Sequence, residues 1–321
     1  MFARGVSGIR WQSAGSGAQE LRSGPFRFVF DAADERLAQA LARAALATPL
    51  PALPPDILAD STVTIYLARD EASFDSLTGG RAPEWGAGVA FPDAGIIVLP
   101  AFTSRRGGEI DLAGVLRHEI AHVALQRWLG GLRSPVWFTE GYATWSAGQL
   151  DNEAGWLLRL AFVTGRAPPL DSLALSWPAG AMDARVAYLL SASAVEFLHR
   201  GGGDRVMRIL LERWRSSGSF ETALFQVYGY GPAQFEDIWS KDVRRRYGWL
   251  RFLAQSVVVW TVVGFLVVAL FIIRRRRDRR KLARLRETEP PDRPAYWLEG
   301  EQEQEREQEQ EQEPEREEER P

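Results

Sequence analysis

The sequence predicts an α+β fold. Residues 25–250 form a two-lobed domain, with a small mixed sheet in the first lobe and helices in the second. One transmembrane helix and a disordered tail follow. Three observations predict this. Short β-branched and aromatic runs occupy the first hundred residues, helical periodicity takes over from residue 112, and residues 252–273 carry no charge. In chain order, residues 1–24 are rich in Gly, Ser and Ala and read as a flexible N-terminal segment. Phe26 to Phe30 and Thr62 to Ala68 read as strands. Between them lie an amphipathic helix, Ala33 to Ala47, and a loop, Pro49 to Pro55. Gly88 to Phe91 and Gly95 to Leu99 make a strand pair joined by Pro92-Asp93-Ala94. Leu112, Val115, Leu116, Ile120, Val123 and Ala124 recur at helical spacing over 112–129, and Gly130-Gly131 ends that helix. Pro135 starts the next one. The second lobe is all-helical: Glu153 to Val163, Ala184 to His199, Gly203 to Arg213, Phe220 to Tyr228 and Pro232 to Tyr247. No internal repeat is evident.

The chemistry concentrates in His118-Glu119-Ile120-Ala121-His122. The chain holds 3 histidines, and two stand here, four residues apart. On a helix that spacing stacks both rings on one face, where they can grip one metal ion. Glu119 lies on the neighbouring edge of the helix, within reach of a metal-bound water. Zinc in a hydrolase takes three protein ligands and leaves the fourth position to water. With 0 cysteines, the third ligand is a carboxylate or His199. His199 ends a helical run before Gly201-Gly202-Gly203, where a cation suits the helix C-terminus, and that structural role is the better reading of it. Glu140 falls inside the second helix, after a Gly-rich turn that can fold the two helices together. With zinc lowering the pKa of its bound water to about 7, Glu119 would accept that proton as general base.

The stretch Trp137-Phe138-Thr139-Glu140-Gly141-Tyr142-Ala143 resembles the Trp-x-x-Glu-Gly-x-Ala signature of the gluzincins. These are zinc peptidases of the peptidase MA type that include the aminopeptidase N and thermolysin groups. The spacer of 17 residues between His122 and Glu140 is one shorter than in the aminopeptidases. The resemblance implies a thermolysin-like fold with one Zn2+ per chain, held by His118, His122 and Glu140 in a cleft between the lobes. It implies Glu119 as general base and a peptide or protein as substrate. Tyr188, in Tyr188-Leu189-Leu190-Ser191-Ala192-Ser193-Ala194, matches the tyrosine that stabilises the transition state in aminopeptidase-N-like enzymes, with Ser191 where they have glycine. An ordinary packing role for Tyr188 remains open. In gluzincins an edge strand upstream of the motif helix binds substrate backbone as an extra strand. The aminopeptidases anchor a free α-amine there with a Gly-Ala-Met-Glu-Asn glutamate. Here Gly86-Ala87-Gly88-Val89-Ala90 has no acid and Glu84 is out of register, which argues against a simple aminopeptidase.

The uncharged run 252–273 is long enough to cross a bilayer. Tyr247 and Trp249 flank one end, and Arg274 to Arg277, Arg279, Arg280, Lys281, Arg284 and Arg286 crowd the other. Positive flanks stay in the cytoplasm, so the zinc domain is expected outside, facing the exterior or periplasm. Residues 1–24 contain no apolar signal core, so an upstream start is favoured over a lone reverse anchor. Residues 274–321 form a basic juxtamembrane segment, suited to anionic headgroups, and an acidic tail. From Glu301 the tail holds 11 Glu against 3 Arg, cannot bury a core and is expected to be disordered. No aromatic platform accompanies the basic charge, so nucleic acid is not an expected partner. Two rival readings survive: an inactive peptidase-like binding or scaffolding module, and a zinc hydrolase acting on a non-peptide bond.

Overall fold

The structure is a computed structural model that describes residues 18–47, 49–80, 88–105, 111–150, 152–175, 177–247 and 257–288, with 304 and 306. These fall into two compact units, divided between residues 255 and 256.

The first unit opens with β1 (Ala18–Ser23) and β2 (Phe26–Asp31), a hairpin turned at Gly24. β1 corrects one expectation: it lies within the stretch read as a flexible N-terminal segment. Its weak signal has a cause, since as an edge strand it buries little. Residues 1–17 of that segment lie outside the described residues. Helix α1 (Glu35–Ala47) follows a short 3-10 turn and leads to β3 (Val63–Ala68). Helix α2 (Glu71–Thr78), absent from the sequence reading, is started by a reciprocal capping box between Asp70 and Ser73. Next come β4 (Val89–Phe91), β5 (Ile96–Pro100) and the short α3 (Ala101–Arg105). The five strands form one mixed sheet in the order β1-β2-β3-β5-β4. β2 and β5 flank β3 in parallel, and β4 turns back antiparallel at the edge.

All six residues of β3 are buried, as befits a central strand covered on both faces. Val63, Ile65 and Leu67 face the main core with Phe28, Ile97 and Leu99. Tyr66 and Ala68 face the other way, into a smaller cluster with Phe74 and Val98. The main core runs without a break from the sheet into the helices, so the two expected lobes share one interior.

Helix α4 (Leu112–Leu129) lies at the centre of this core. Asp111 caps it by accepting from the amides of Ala113 and Gly114, and Gly130, at φ 61°, ends it. It shows little amphipathy because other elements surround it. After the turn at 130–135 come α5 (Val136–Ser146), α6 (Asn152–Thr164), α7 (Leu170–Leu175) and α8 (Ala181–Arg200). α9 (Gly203–Ser217), α10 (Phe220–Tyr228) and α11 (Pro232–Tyr247) complete the unit. Glu236 on α11 caps α7 by accepting from the amides of Leu170 and Asp171.

The second unit contains α12 (Val257–Thr288), which runs unbroken from its apolar half through the arginine cluster. Its apolar side chains are exposed, Val257 by 78% and Phe265 by 72%. Among the described residues no helix is long and apolar enough to cross a membrane. Residues 252–256 of the expected span, Trp249, and all of the acidic tail except 304 and 306 lie outside them.

Candidate functional site

His118 and His122 stand one turn apart on α4, with ring centroids 4.8 Å apart and Nε2 atoms 3.1 Å apart. From α5, Glu140 brings Oε2 to 3.6 Å from His118 Nε2 and 3.4 Å from His122 Nε2. These three residues are the group among the described ones whose donor atoms could hold a metal ion. The donor set fits zinc closely. Tetrahedral zinc with bonds of about 2.0–2.1 Å separates its ligand atoms by about 3.3 Å. The circle through the three atoms here has a radius of about 2.0 Å, so a single point reaches all of them. Two helices deliver this convergence. The turn at 130–135 folds α5 back along α4, and Trp137 and Phe138 anchor the start of α5 in an aromatic cluster with Phe220.

Electrostatics divide the two glutamates. Burial by itself would raise Glu140, but His122 and His118 against its carboxylate outweigh it and hold it down at about 2. Burial likewise disfavours charge on His122, and Glu140 overcomes that, keeping the imidazole above its ordinary value. Glu119 is pushed up by burial, which exceeds the pull of His118 and His122. The Ala90 backbone amide donates to its carboxylate. β4 is therefore pressed against the base candidate: a Cβ added at Gly88 would lie 2.8 Å from Val115 Cγ1 and 3.2 Å from Glu119 Cγ. Glu84, Gly86 and Ala87 lie outside the described residues.

Tyr188 comes in from α8. Its ring stands edge-on to His118 at 6.0 Å, and Trp177 packs on it at 5.0 Å. Burial, reinforced by Glu140 and Glu119, pushes its phenol well above the usual range, so it remains an O–H donor. What brings α8 this close is Gly141, beside Glu140: a Cβ there would lie 2.3 Å from the Ser191 carbonyl oxygen. His199 takes no part in the cluster. It packs at a tilt against Trp145 at 4.7 Å and meets Asp204 Oδ1 at 2.9 Å.

Sequence reasoning missed the Ala90 amide, the Gly88 and Gly141 contacts and the Trp177 wall. The two glycines stood inside the motifs and signalled close backbone approach. Nothing in the sequence marked Ala90 or Trp177.

No curated protein matches the sequence. Among solved structures, the M1 zinc metallopeptidase from Deinococcus radiodurans shares 16% identity at a TM-score of 0.31, with 72% of this chain aligned to 52% of that one. This chain thus spans about half the length of that protein. A family model for the peptidase MA superfamily matches residues 56–245, a stretch that includes α4, α5 and α8, and the chain belongs to that superfamily.

Proposed function

We propose that the chain is a membrane-anchored zinc peptidase of gluzincin type, hydrolysing peptide bonds on the outer side of a membrane. The observation that carries the reading is the triangle of His118 Nε2, His122 Nε2 and Glu140 Oε2, of a size that fits zinc, with Glu119 one residue from the first ligand. A zinc ion held there supplies a Lewis acid and lowers the pKa of a bound water to about 7.

The rest of the work falls to this chain's own side chains. Glu140, ionised at any working pH, holds negative charge against the two imidazoles. Glu119 accepts the proton of the attacking water and returns it to the leaving amine. Burial pushes its carboxyl above the ordinary value, which favours its taking up a proton. Tyr188 offers a protonated hydroxyl to the oxygen that gains charge as the carbonyl is attacked. β4 offers its outer edge to an extended substrate. With no acid at Gly88 to Ala90 to hold a free α-amine, an endopeptidase fits better than a simple aminopeptidase.

Zinc content, and turnover of a mixed peptide library by wild type and Glu119→Gln, test the reading. One zinc per chain and cleavage that depends on Glu119 are expected. Zinc without such cleavage would leave a binding module or a hydrolase of another bond, and a folded preparation without zinc would refute the site. The anchor is supported by the uncharged run 252–273, the exposed apolar side chains of α12 and the basic residues that follow them. Its test is resistance to alkaline extraction from membranes, with the zinc domain, but not the C-terminus, digested by protease added outside intact cells.

A further inference from the structure

Arg117 directly precedes the first ligand candidate, yet it works at the margin of the helix pair. α4 and α5 form a hairpin joined by residues 130–135. Leu129 and Val136 mark its closed end, and Arg117 and Ser146 lie towards its open end. There the half-buried guanidinium donates through Nε to the Ser146 carbonyl and through Nη2, at 3.0 Å, to the Pro49 carbonyl. Ser146 is the last residue of α5, where helix carbonyls lack partners within the helix. Tyr142, two residues beyond Glu140, donates its hydroxyl to the Pro51 carbonyl at 2.6 Å. One proline-rich loop is therefore tied to both helices.

We infer that Arg117 is a positioning residue for the metal site. By closing the open end of the hairpin it sets the separation at which His118 and His122 meet Glu140. The inference rests on the zinc reading above. Its leverage follows from helix geometry. At about 1.5 Å per residue, Glu140 lies about 6 Å and Ser146 about 15 Å from the start of α5. Pivoting α5 at its closed end so that Ser146 moves by 1 Å carries Glu140 about 0.4 Å, whereas metal-ligand distances hold within about 0.2 Å. The planar fork of arginine suits two carbonyls at once, and a lysine ammonium is a single point that reaches them less well.

The test uses the full-length protein in detergent and zinc alone. Competition with a chromophoric chelator is expected to show zinc binding about 10- to 100-fold weaker in Arg117→Gln, with part of the loss restored in Arg117→Lys. In the metal-free chain, amide hydrogen exchange over residues 143–147 should rise in Arg117→Gln while that of α8 stays as in wild type. A purely structural role would lower the unfolding temperature and leave zinc affinity alone. A folded Arg117→Gln that binds zinc within twofold of wild type overturns the inference and leaves the zinc reading standing. Wild type that takes up no zinc removes both. Should Arg117→Gln fail to fold, Arg117→Lys carries the test, with several-fold weaker zinc binding expected and unchanged affinity overturning it.

Discussion

Adding one methyl group at Gly141 tests whether the backbone contact between α5 and α8 sets the active geometry. In Gly141→Ala the new Cβ would lie 2.3 Å from the Ser191 carbonyl oxygen, 2.6 Å from its carbonyl carbon and 3.0 Å from Val195 Cγ2. Carbon and oxygen rest no closer than about 3.3 Å, so the helices must part by about 1 Å. The clash is with backbone, and no change of rotamer relieves it. Overpacking of this kind costs about 1–3 kcal/mol, and a displaced helix belongs in the upper half of that range. The functional loss should be larger than the structural one. Tyr188 lies one turn before Ser191, so parting the helices moves its ring relative to Glu140. A misplacement of about 1 Å can cost about 10²-fold in rate. Denaturant unfolding gives the first quantity, and kcat on a peptide cleaved by wild type gives the second. Ser191→Ala is the control: the buried Ser191 hydroxyl has no hydrogen-bond partner among the described residues, so its removal should be neutral or slightly stabilising. Gly141→Ala within about 0.5 kcal/mol of wild-type stability, with kcat unchanged, would refute the argument.

Three further expectations concern the site itself. Glu119→Gln should lower kcat by about 10²- to 10⁴-fold while zinc stays bound; zinc lost together with activity would assign Glu119 to metal binding instead. Tyr188→Phe should lower kcat by about 10²-fold with little change in KM, and an unaffected kcat would reduce Tyr188 to a wall beside His118. The metal-free chain should show a pH window of stability. Glu140, lowered from 4.5 to about 2, contributes stability that is present above 4.5 and lost as pH falls towards 2. His122, raised above 6.5, contributes stability that is present below 6.5 and lost as pH rises through its folded value. Glu119, raised above 4.5, contributes stability that is present below 4.5 and lost as pH rises through its folded value. Unfolding temperature should therefore fall as pH drops below 4.5 and fall again as pH rises past Glu119 and His122, and the acid limb should flatten in Glu140→Gln; an identical profile in that variant would contradict the pairing.

How much of this was legible in the sequence depended on whether a signal was local. The α4 boundaries were, because Asp111 and Gly130 are local caps and the apolar spacing between them is regular. Glu140 was, through the residues around it. Helix α2 was not: Asp70 and Ser73 start it, but it is short and weakly amphipathic, and an Asp-x-x-Ser box is a fainter mark than one ending in Glu. β1 was not, because an edge strand paired on one side needs no apolar run. The Ala90 amide was out of reach for a different reason. A backbone donor carries no residue signature, and its aim at Glu119 depends on β4 packing against α4.

Glu119 and Glu140 differ in what surrounds their carboxyl groups. They share a side chain and both are buried, at 8% and 4% exposure. Burial raises both, and what differs is the counter-charge. Glu140 has both imidazoles against its carboxylate and falls to about 2. Glu119 feels the charge of the same rings, a backbone amide, and Glu140 itself as a repelling neighbour, and burial still holds it above its ordinary value. A site that only bound metal would gain from keeping every nearby carboxylate ionised. Setting two buried carboxyl groups apart in this way is the arrangement expected where one must remain an anion and the other must exchange a proton. Gly88 maintains that separation, since a side chain there would drive β4 away from α4 and remove the amide that keeps Glu119 from rising further.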